Sequence, residues 1–518
     1  MTARLPLLAL WAAAFAALSA VYLTVAASPD QALFDYIAWS HLQGDVYYGG
    51  AVEQNFPGKM FMHEIGIRLF GAEFWSFRAI DALVLAPVTW AGAGFLARSG
   101  FTAAPWIFLF LYPVLYVTSG YWMAGQRDIV AMGLLLAAAF LAVPPQARRG
   151  LAASLLAGAL VASAALIRPT YLSALAGLLI FDWLRFAGEP RLGWGVRLGQ
   201  SLALCLGFGA VIAAVVGYGA RLGVLDDFYQ QTFLFNLEAY QIPQSRLRLV
   251  PDMVWLFTRS WHWIVALAVL GGLVWAALRG LNRALLLVAG LGAAAILSYF
   301  VQNKGFGYHL GGLLPLLTLL VAVAVDGLNQ WRKSAGHPAL RTLSALALVL
   351  GVALITLGTA KKLWTYRENA TRLARGDFVP VQHDTRQPAW ADIAESVRII
   401  QAHSPPDAFV LQWGRVFIVP FLAERRSTLR FFSIAGLDTF GAGFSGYRDW
   451  LAEIERDLQA KRPAFVVIDT REVRIDPDAV TRGTAHTGTF GIDRLVLQTI
   501  AGYRVLQRTP HYILMGAP

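Results

Sequence analysis

Residues 198–220 read LGQSLALCLGFGAVIAAVVGYGA, and no charged side chain interrupts them. A helix needs about 20 apolar residues to cross roughly 30 Å of hydrocarbon, so this stretch is long enough to span a membrane. Outward from it, apolar runs recur near 170–186, 151–167, 128–143, 103–120, 77–97 and 5–27 toward the N-terminus. In the other direction they recur near 260–278, 284–301, 309–326 and 342–360. The expected architecture is a polytopic α-helical membrane protein with about eleven transmembrane helices.

The bulk composition agrees. Of 518 residues, 57% are hydrophobic and 14% charged, against about 25% charged in soluble globular chains. A soluble enzyme and a disordered chain are both excluded. The formal charge of +11 is read as membrane topology rather than nucleic-acid binding, because the basic residues flank the apolar runs. Alternate connections hold Arg98, then Arg148 and Arg149, then Arg185, Arg191 and Arg197. Arg279 and Arg283 follow, then Arg332, Lys333 and Arg341, while Arg4 precedes the first run. The positive-inside rule puts that set in the cytoplasm. Segments 28–76, 119–127, 168–169, 221–259 and 302–308 then face outward, as does everything after about 361. The first run is longer than a signal-peptide core and is read as a retained span. The single cysteine, Cys205, permits no intrachain disulfide.

Two regions lie outside the expected spans. In the first outer loop, 28–76, Leu33, Phe34, Ile37 and Ala38 fall on one side of a predicted helix over 31–43. That spacing predicts an amphipathic helix in the membrane interface, with Asp30 as its N-cap. A second amphipathic helix is predicted over 59–70. The segment 361–518 is more polar. Strands are predicted at 408–413, 429–433, 464–468 and 504–507, and a helix at 446–461, so a small C-terminal α/β domain is expected there. The expected division is a transmembrane catalytic domain, 1–360, and a soluble extracytoplasmic domain, 361–518.

The outward loops concentrate ionisable and aromatic residues at the membrane boundary: Asp30, Asp35, Glu53, Lys59, Arg127, Arg168, Lys304, Tyr308 and His309. Ionisable groups at membrane depth cost at least about 2.5–3.5 kcal/mol each on insertion scales, so they mark cavities and function. A carboxylate can take a proton from a hydroxyl. Arginine and lysine can hold a phosphate and stabilise it as it leaves. Such a set suits group transfer from a lipid-linked phosphate. It also suits a lipid or glycan transporter, and a non-catalytic envelope scaffold is a third reading. Paired repeats with broken helices, the mark of many transporters, are not evident. No His/Cys metal spacing is evident.

The first loop also resembles a known family. It carries Pro29-Asp30-Gln31, then Gly44-Asp45-Val46-Tyr47, then Glu53-Gln54-Asn55-Phe56-Pro57-Gly58 and Arg68-Leu69-Phe70-Gly71. This resembles the first outer loop of GT-C membrane glycosyltransferases, of the protein O-mannosyltransferase and lipid A aminoarabinose transferase group (family 39/83-like). Gly125-Gln126-Arg127-Asp128 and Gln302-Asn303-Lys304-Gly305 with Tyr308-His309 resemble elements of its bacterial members. The resemblance covers 1–360. It implies a polyprenyl-phosphate sugar donor, a glycan, lipid or protein acceptor, inversion at the anomeric carbon, and Asp30 as general base. Gln31 replaces the second acid of the family pair, and Asp35, one turn on, is the substitute. Asn55 stands where the family has lysine, and Lys59 is the candidate replacement. Arg127, Arg168, Lys304 and His309 are the expected phosphate and sugar contacts, with Glu53 and Tyr308 in the substrate site. The resemblance implies no required cofactor; some GT-C enzymes use a divalent metal, so one stays open, as does the oligomeric state. The implied place is the inner or plasma membrane.

Overall fold

The computed structural model describes residues 5–143, 150–183, 193–240, 245–334, 336–432, 443–473, 475–485 and 491–518. Arg4, Arg148, Arg149, Arg185 and Arg191, named above, and position 433 of the predicted strand lie outside the described residues. The chain divides into two compact units, one of residues 1–22, 81–215 and 243–376, the other of 23–80, 216–242 and 377–518. The expected linear division at 360 falls inside a helix, Pro338–Thr365. Contacts instead group the first outer loop with the C-terminal segment.

The helices are α1 (Leu5–Leu23), α2 (Pro29–Leu42), α3 (Gly58–Phe70), α4 (Ser76–Arg98), α5 (Ala104–Val117), α6 (Arg127–Ala142), α7 (Leu151–Ile167) and α8 (Ser173–Trp183). They continue with α9 (Trp194–Leu222), α10 (Leu225–Tyr229), α11 (Phe235–Glu238), α12 (Leu249–Trp255), α13 (His262–Arg279), α14 (Arg283–Gln302), α15 (Leu313–Ser334), α16 (Pro338–Thr365) and α17 (Arg367–Ala374). Seven helical stretches among the described residues are long and apolar enough to cross a membrane. The shorter helices α5, α6, α7 and α8 fall on the remaining apolar runs. The protein is a multi-pass membrane protein.

In the first unit α15 is central: 83% of its apolar window is buried, against 11% for α16 and 6% for α1. The outer helices therefore turn leucines and valines outward, as a lipid-facing surface requires. Where apolar burial in water cannot drive association, close backbone approach does. A Cβ at Gly158 of α7 would lie 1.9 Å from the carbonyl oxygen of Leu204 on α9, and one at Gly207 of α9 would lie 1.9 Å from that of Leu155 on α7. Gly271 of α13 meets the Leu320 carbonyl of α15 in the same way. At the start of α5, Asp326 of α15 accepts from the backbone N–H groups of Thr102, Ala103 and Ala104 at 2.7, 2.7 and 2.9 Å. One buried carboxylate thus satisfies three donors that a helix start leaves open.

The second unit holds α2, α3, α18 (Trp390–His403), β1 (Phe409–Trp413), α19 (Ile418–Leu422), β2 (Arg426–Ser427), α20 (Tyr447–Ala460), β3 (Phe465–Asp469), α21 (Pro477–Thr481), α22 (Gly491–Ile500), β4 (Arg504–Arg508) and β5 (Tyr512–Gly516). The sheet order is β2-β1-β3-β5-β4. Strands β1, β2 and β3 run parallel, and β5 is antiparallel to β3 and β4. Leu411, Trp413, Val466 and Ile468 face Trp450 and Ile454 of α20, while Val410 and Val467 face Ile393 and Ile400 of α18. The first loop is built into this unit. Tyr36 of α2 stacks on Phe432 at 3.6 Å and 10°, Val381 donates to the Thr24 carbonyl, and Arg430 pairs with Asp227 at 2.9 Å.

Three local expectations change. Helix α2 is no interfacial amphipathic helix: Ala32, Tyr36 and Trp39 pack with Phe417, Phe421 and Phe432, so a face read as solvent-side is core. Its N-cap is Ser28, not Asp30, in a capping box with Gln31; Pro29 takes the first helical position, where its missing N–H costs nothing. The strand predicted at 429–433 is displaced to Arg426–Ser427, and β5 was not anticipated.

The α7–α9 contact predicts its own test. Gly207→Leu must push two backbones apart and is expected to destabilise by about 1–3 kcal/mol, read as a lower thermal midpoint in detergent. Gly209→Leu, two residues on with open space around it, should leave that midpoint unchanged or raise it.

Candidate functional site

Among the described residues, two clusters of buried charged groups contain expected site residues, one in each unit. In the first unit the cluster forms where helices begin and end. Pro169 disfavours helix at the residue before it, so α7 stops and Arg168 is extended. Asn303 ends α14 with φ 50°, a left-handed turn that asparagine tolerates, and Gly305 follows at φ +70°. A 3-10 turn, Gly307–Gly312, then leads into α15.

These terminations bring side chains together. Arg168 Nε donates to Asp128 Oδ1 at 2.9 Å, with both side chains buried. Arg168 Nη2 donates to the Gln302 side-chain oxygen, and Gln302 donates to Ser298 Oγ at 3.0 Å. His309 is 2% exposed, and its Nδ1 has no hydrogen-bond partner among the described residues. The charges of Arg168, Arg127 and Lys304 all act on it. Tyr308 stacks on Trp122 at 12° and on Phe306 at 9°. Five expected site residues, Arg127, Arg168, Lys304, Tyr308 and His309, therefore meet in one place. The cations outnumber the one carboxylate, an excess that suits an anion.

The second cluster links α2, α3 and the start of α4. Lys59 and His63 stand four residues apart and share a face of α3. His63 Nδ1 lies 2.6 Å from Asp35 Oδ1, and its ring stacks on Phe77 at 3.9 Å and 6°. Lys59 Nζ sits 3.7 Å from the Phe77 ring centroid, a cation–π contact inside the fold. Arg78 donates to the Ala26 carbonyl at 3.1 Å. All four side chains are buried. Burial pushes the Asp35 carboxyl well above the usual carboxylate range, against the pull of Arg78 and Lys59. Burial pushes His63 well below the usual imidazole range, and Lys59 and Arg78 push the same way. His63 is therefore neutral, and its Nε2 has no hydrogen-bond partner among the described residues.

The other first-loop residues sit differently. Asp30 lies in the first turn of α2, half-buried. Glu53 is buried and accepts from the Asn55 backbone at 2.9 Å, while its own N–H donates to Gln231 at 2.9 Å; it shapes the turn after Ala51. Asp35, expected as the second catalytic acid, and Lys59, expected in the substrate site, are buried in the His63 cluster. Sequence reasoning passed over Arg78, although a lone cation opening an apolar run is a visible signal. Among the described residues no group of three or more His, Cys, Asp or Glu is placed to hold a metal.

The two opposed shifts give a pH test. A histidine with a depressed folded pKa binds fewer protons when folded, so its contribution to stability is lost as pH falls through about 6.5. A carboxyl with a raised folded pKa binds more, so its contribution is gained as pH falls through that raised value. In the native chain the two oppose each other. Asp35→Asn removes the second, and its unfolding free energy should fall more steeply than that of the native chain as pH drops below about 6.5, by up to about 1.4 kcal/mol per pH unit. Parallel slopes would show that the pair does not titrate as described.

No protein-family model and no curated protein matches this sequence. Solved structures do. ArnT from Cupriavidus metallidurans bound to undecaprenyl phosphate aligns over 98% of this chain and 97% of its own at 15% identity and a TM-score of 0.57. Its apo state aligns over 99% and 98%, again at 15% identity, with a TM-score of 0.55. The apo oligosaccharyltransferase of Archaeoglobus fulgidus covers 90% of this chain and 70% of its own at 12% identity, with a TM-score of 0.48, and carries no argument here. At such identities a likeness speaks to architecture alone. The chain has a fold similar to that of ArnT from Cupriavidus metallidurans.

Proposed function

We propose that the protein is an integral-membrane glycosyltransferase. It moves a hexosyl or pentosyl group from a polyprenyl-phosphate donor to a hydroxyl of a cell-envelope acceptor: lipopolysaccharide, another glycan or protein. One observation carries the reading. The ArnT-like fold extends over 98% of the chain, and within it the cations Arg127, Arg168 and Lys304 gather around the buried His309.

The chemistry follows from charge. The acceptor oxygen attacks the anomeric carbon, the bond from that carbon to the phosphate oxygen breaks, and the lipid phosphate leaves with the electron pair. Asp30, half-buried and therefore reachable, takes the hydroxyl proton. Arg127, Arg168 and Lys304 hold the phosphate as negative charge grows on it. Asp128 keeps the Arg168 guanidinium aimed, and Tyr308 and His309 contact the sugar. Asp35, Lys59, His63 and Arg78 position the first loop, and Glu53 shapes its turn. No step needs a cofactor. The reading places eleven spans in the inner or plasma membrane, with the short basic connections in the cytoplasm and the C-terminal domain outside.

Purified protein incubated with a radiolabelled polyprenyl-phosphate sugar pool and envelope fractions should move label to the acceptor. Asp30→Asn should abolish that transfer while keeping the fold and lipid-phosphate binding; full activity would remove Asp30 from the mechanism. Lipid binding with no transfer by the native protein would assign a transporter instead. Arg127→Ala should weaken binding of undecaprenyl phosphate about tenfold, or about 1.4 kcal/mol. Unchanged affinity would return Arg127 to a helix-start role.

A further inference from the structure

The first unit has a cavity, widely open and lined mostly by exposed side chains, apart from either ionisable cluster. It lies between the C-terminal end of α15 and the N-terminal end of α16, with a volume of about 520 Å³. Arg332, Lys333 and Arg341 line one part of it, and Leu346 and Val349 line another. No carboxylate contributes to the lining.

The two kinds of wall point to one ligand. Leu346 and Val349 are 62% and 68% exposed, and Leu343 and Leu350 continue the same bare face along α16. A 28-residue apolar helix with so little of its surface buried meets lipid tails along its length. The cationic wall sits where that face ends, next to the half-exposed Trp331, an aromatic of the kind found at membrane interfaces. Arg332 is braced by a bond to Asn329 at 3.1 Å, which limits the freedom lost on binding. Basic residues that only set topology need no cavity. Here they line one that continues into a tail-facing surface.

We infer that this cavity binds the headgroup of an anionic phospholipid, with the acyl chains lying along α16. Arg332 and Arg341 hold the headgroup phosphate by charge-assisted hydrogen bonds, and Lys333 adds charge at the rim. The site is separate from the proposed transfer chemistry, so its test does not depend on that reading.

The experiment is native mass spectrometry of the full chain in detergent, titrated with phosphatidylglycerol or phosphatidylcholine. The native protein should retain phosphatidylglycerol in preference to phosphatidylcholine. Arg332→Gln/Arg341→Gln should bind phosphatidylglycerol about tenfold more weakly, with phosphatidylcholine binding unchanged. Arg332→Lys/Arg341→Lys should keep the preference, which checks that the fold and the insertion survive changes at these positions. Should the glutamine pair fail to fold, Leu346→Glu, at an exposed position, adds a carboxylate to the wall and should reduce phosphatidylglycerol retention to a similar degree. Equal retention by native and glutamine forms, or no preference between the lipids, overturns the inference. Displacement of the lipid by excess inorganic phosphate would also overturn it and assign a soluble anion.

Discussion

The Asp128–Arg168 ion pair decides how the ends of three helices meet. A guanidinium in an apolar bundle is tolerable only when a carboxylate and further hydrogen bonds answer it. Asp128 opens α6, Arg168 follows α7, and Gln302 closes α14. To satisfy one cation, the three termini must converge at one level. The 3-10 turn that carries Tyr308 and His309 enters the same place. Remove the pair, and the reason for that convergence goes with it.

The two clusters have different chemical characters. Around Asp35 the charges are enclosed: two cations, a carboxyl and a neutral imidazole, all buried and stacked against Phe77. Such a group fixes geometry, because disturbing one member strands the others in a low dielectric. Around His309 the cations exceed the carboxylate, and Lys304 is only partly buried. Both clusters hold more cations than carboxylates; they differ in that the Asp35 group is fully enclosed, while the His309 group is partly open at Lys304.

Much of this was legible in the sequence. Apolar runs in 1–360 correspond to helices, because spanning lipid leaves the chain little choice of structure. Helix α3 falls within a residue of its expected start, and β1, β3 and β4 lie within a residue of their expected bounds. The gathering of Arg127, Arg168, Lys304, Tyr308 and His309 followed from their shared place at helix ends. What was hidden depended on distant partners. Tyr36 of α2 accepts from the backbone of Ser427, 391 residues away, and no local pattern announces that a tyrosine will be covered. Strand β5, YILMG, carries no alternation, since both of its faces are buried. Ser28 rather than Asp30 caps α2 because Gln31 completes a reciprocal pair, which the eye passes over when a carboxylate stands beside it.

The Asp326 contact has a consequence for the order of synthesis. The donors it satisfies, at Thr102, Ala103 and Ala104, precede it by 222 to 224 residues. At ~5–20 residues per second, α5 waits roughly ten to forty seconds for the carboxylate that completes its first turn. Until then those N–H groups depend on water at the membrane boundary. Helix α5 is held by its eventual neighbour rather than by its own sequence, which offers Ala103 as a cap and no side-chain bond there. The start of α5 is therefore completed only once α15 has been made.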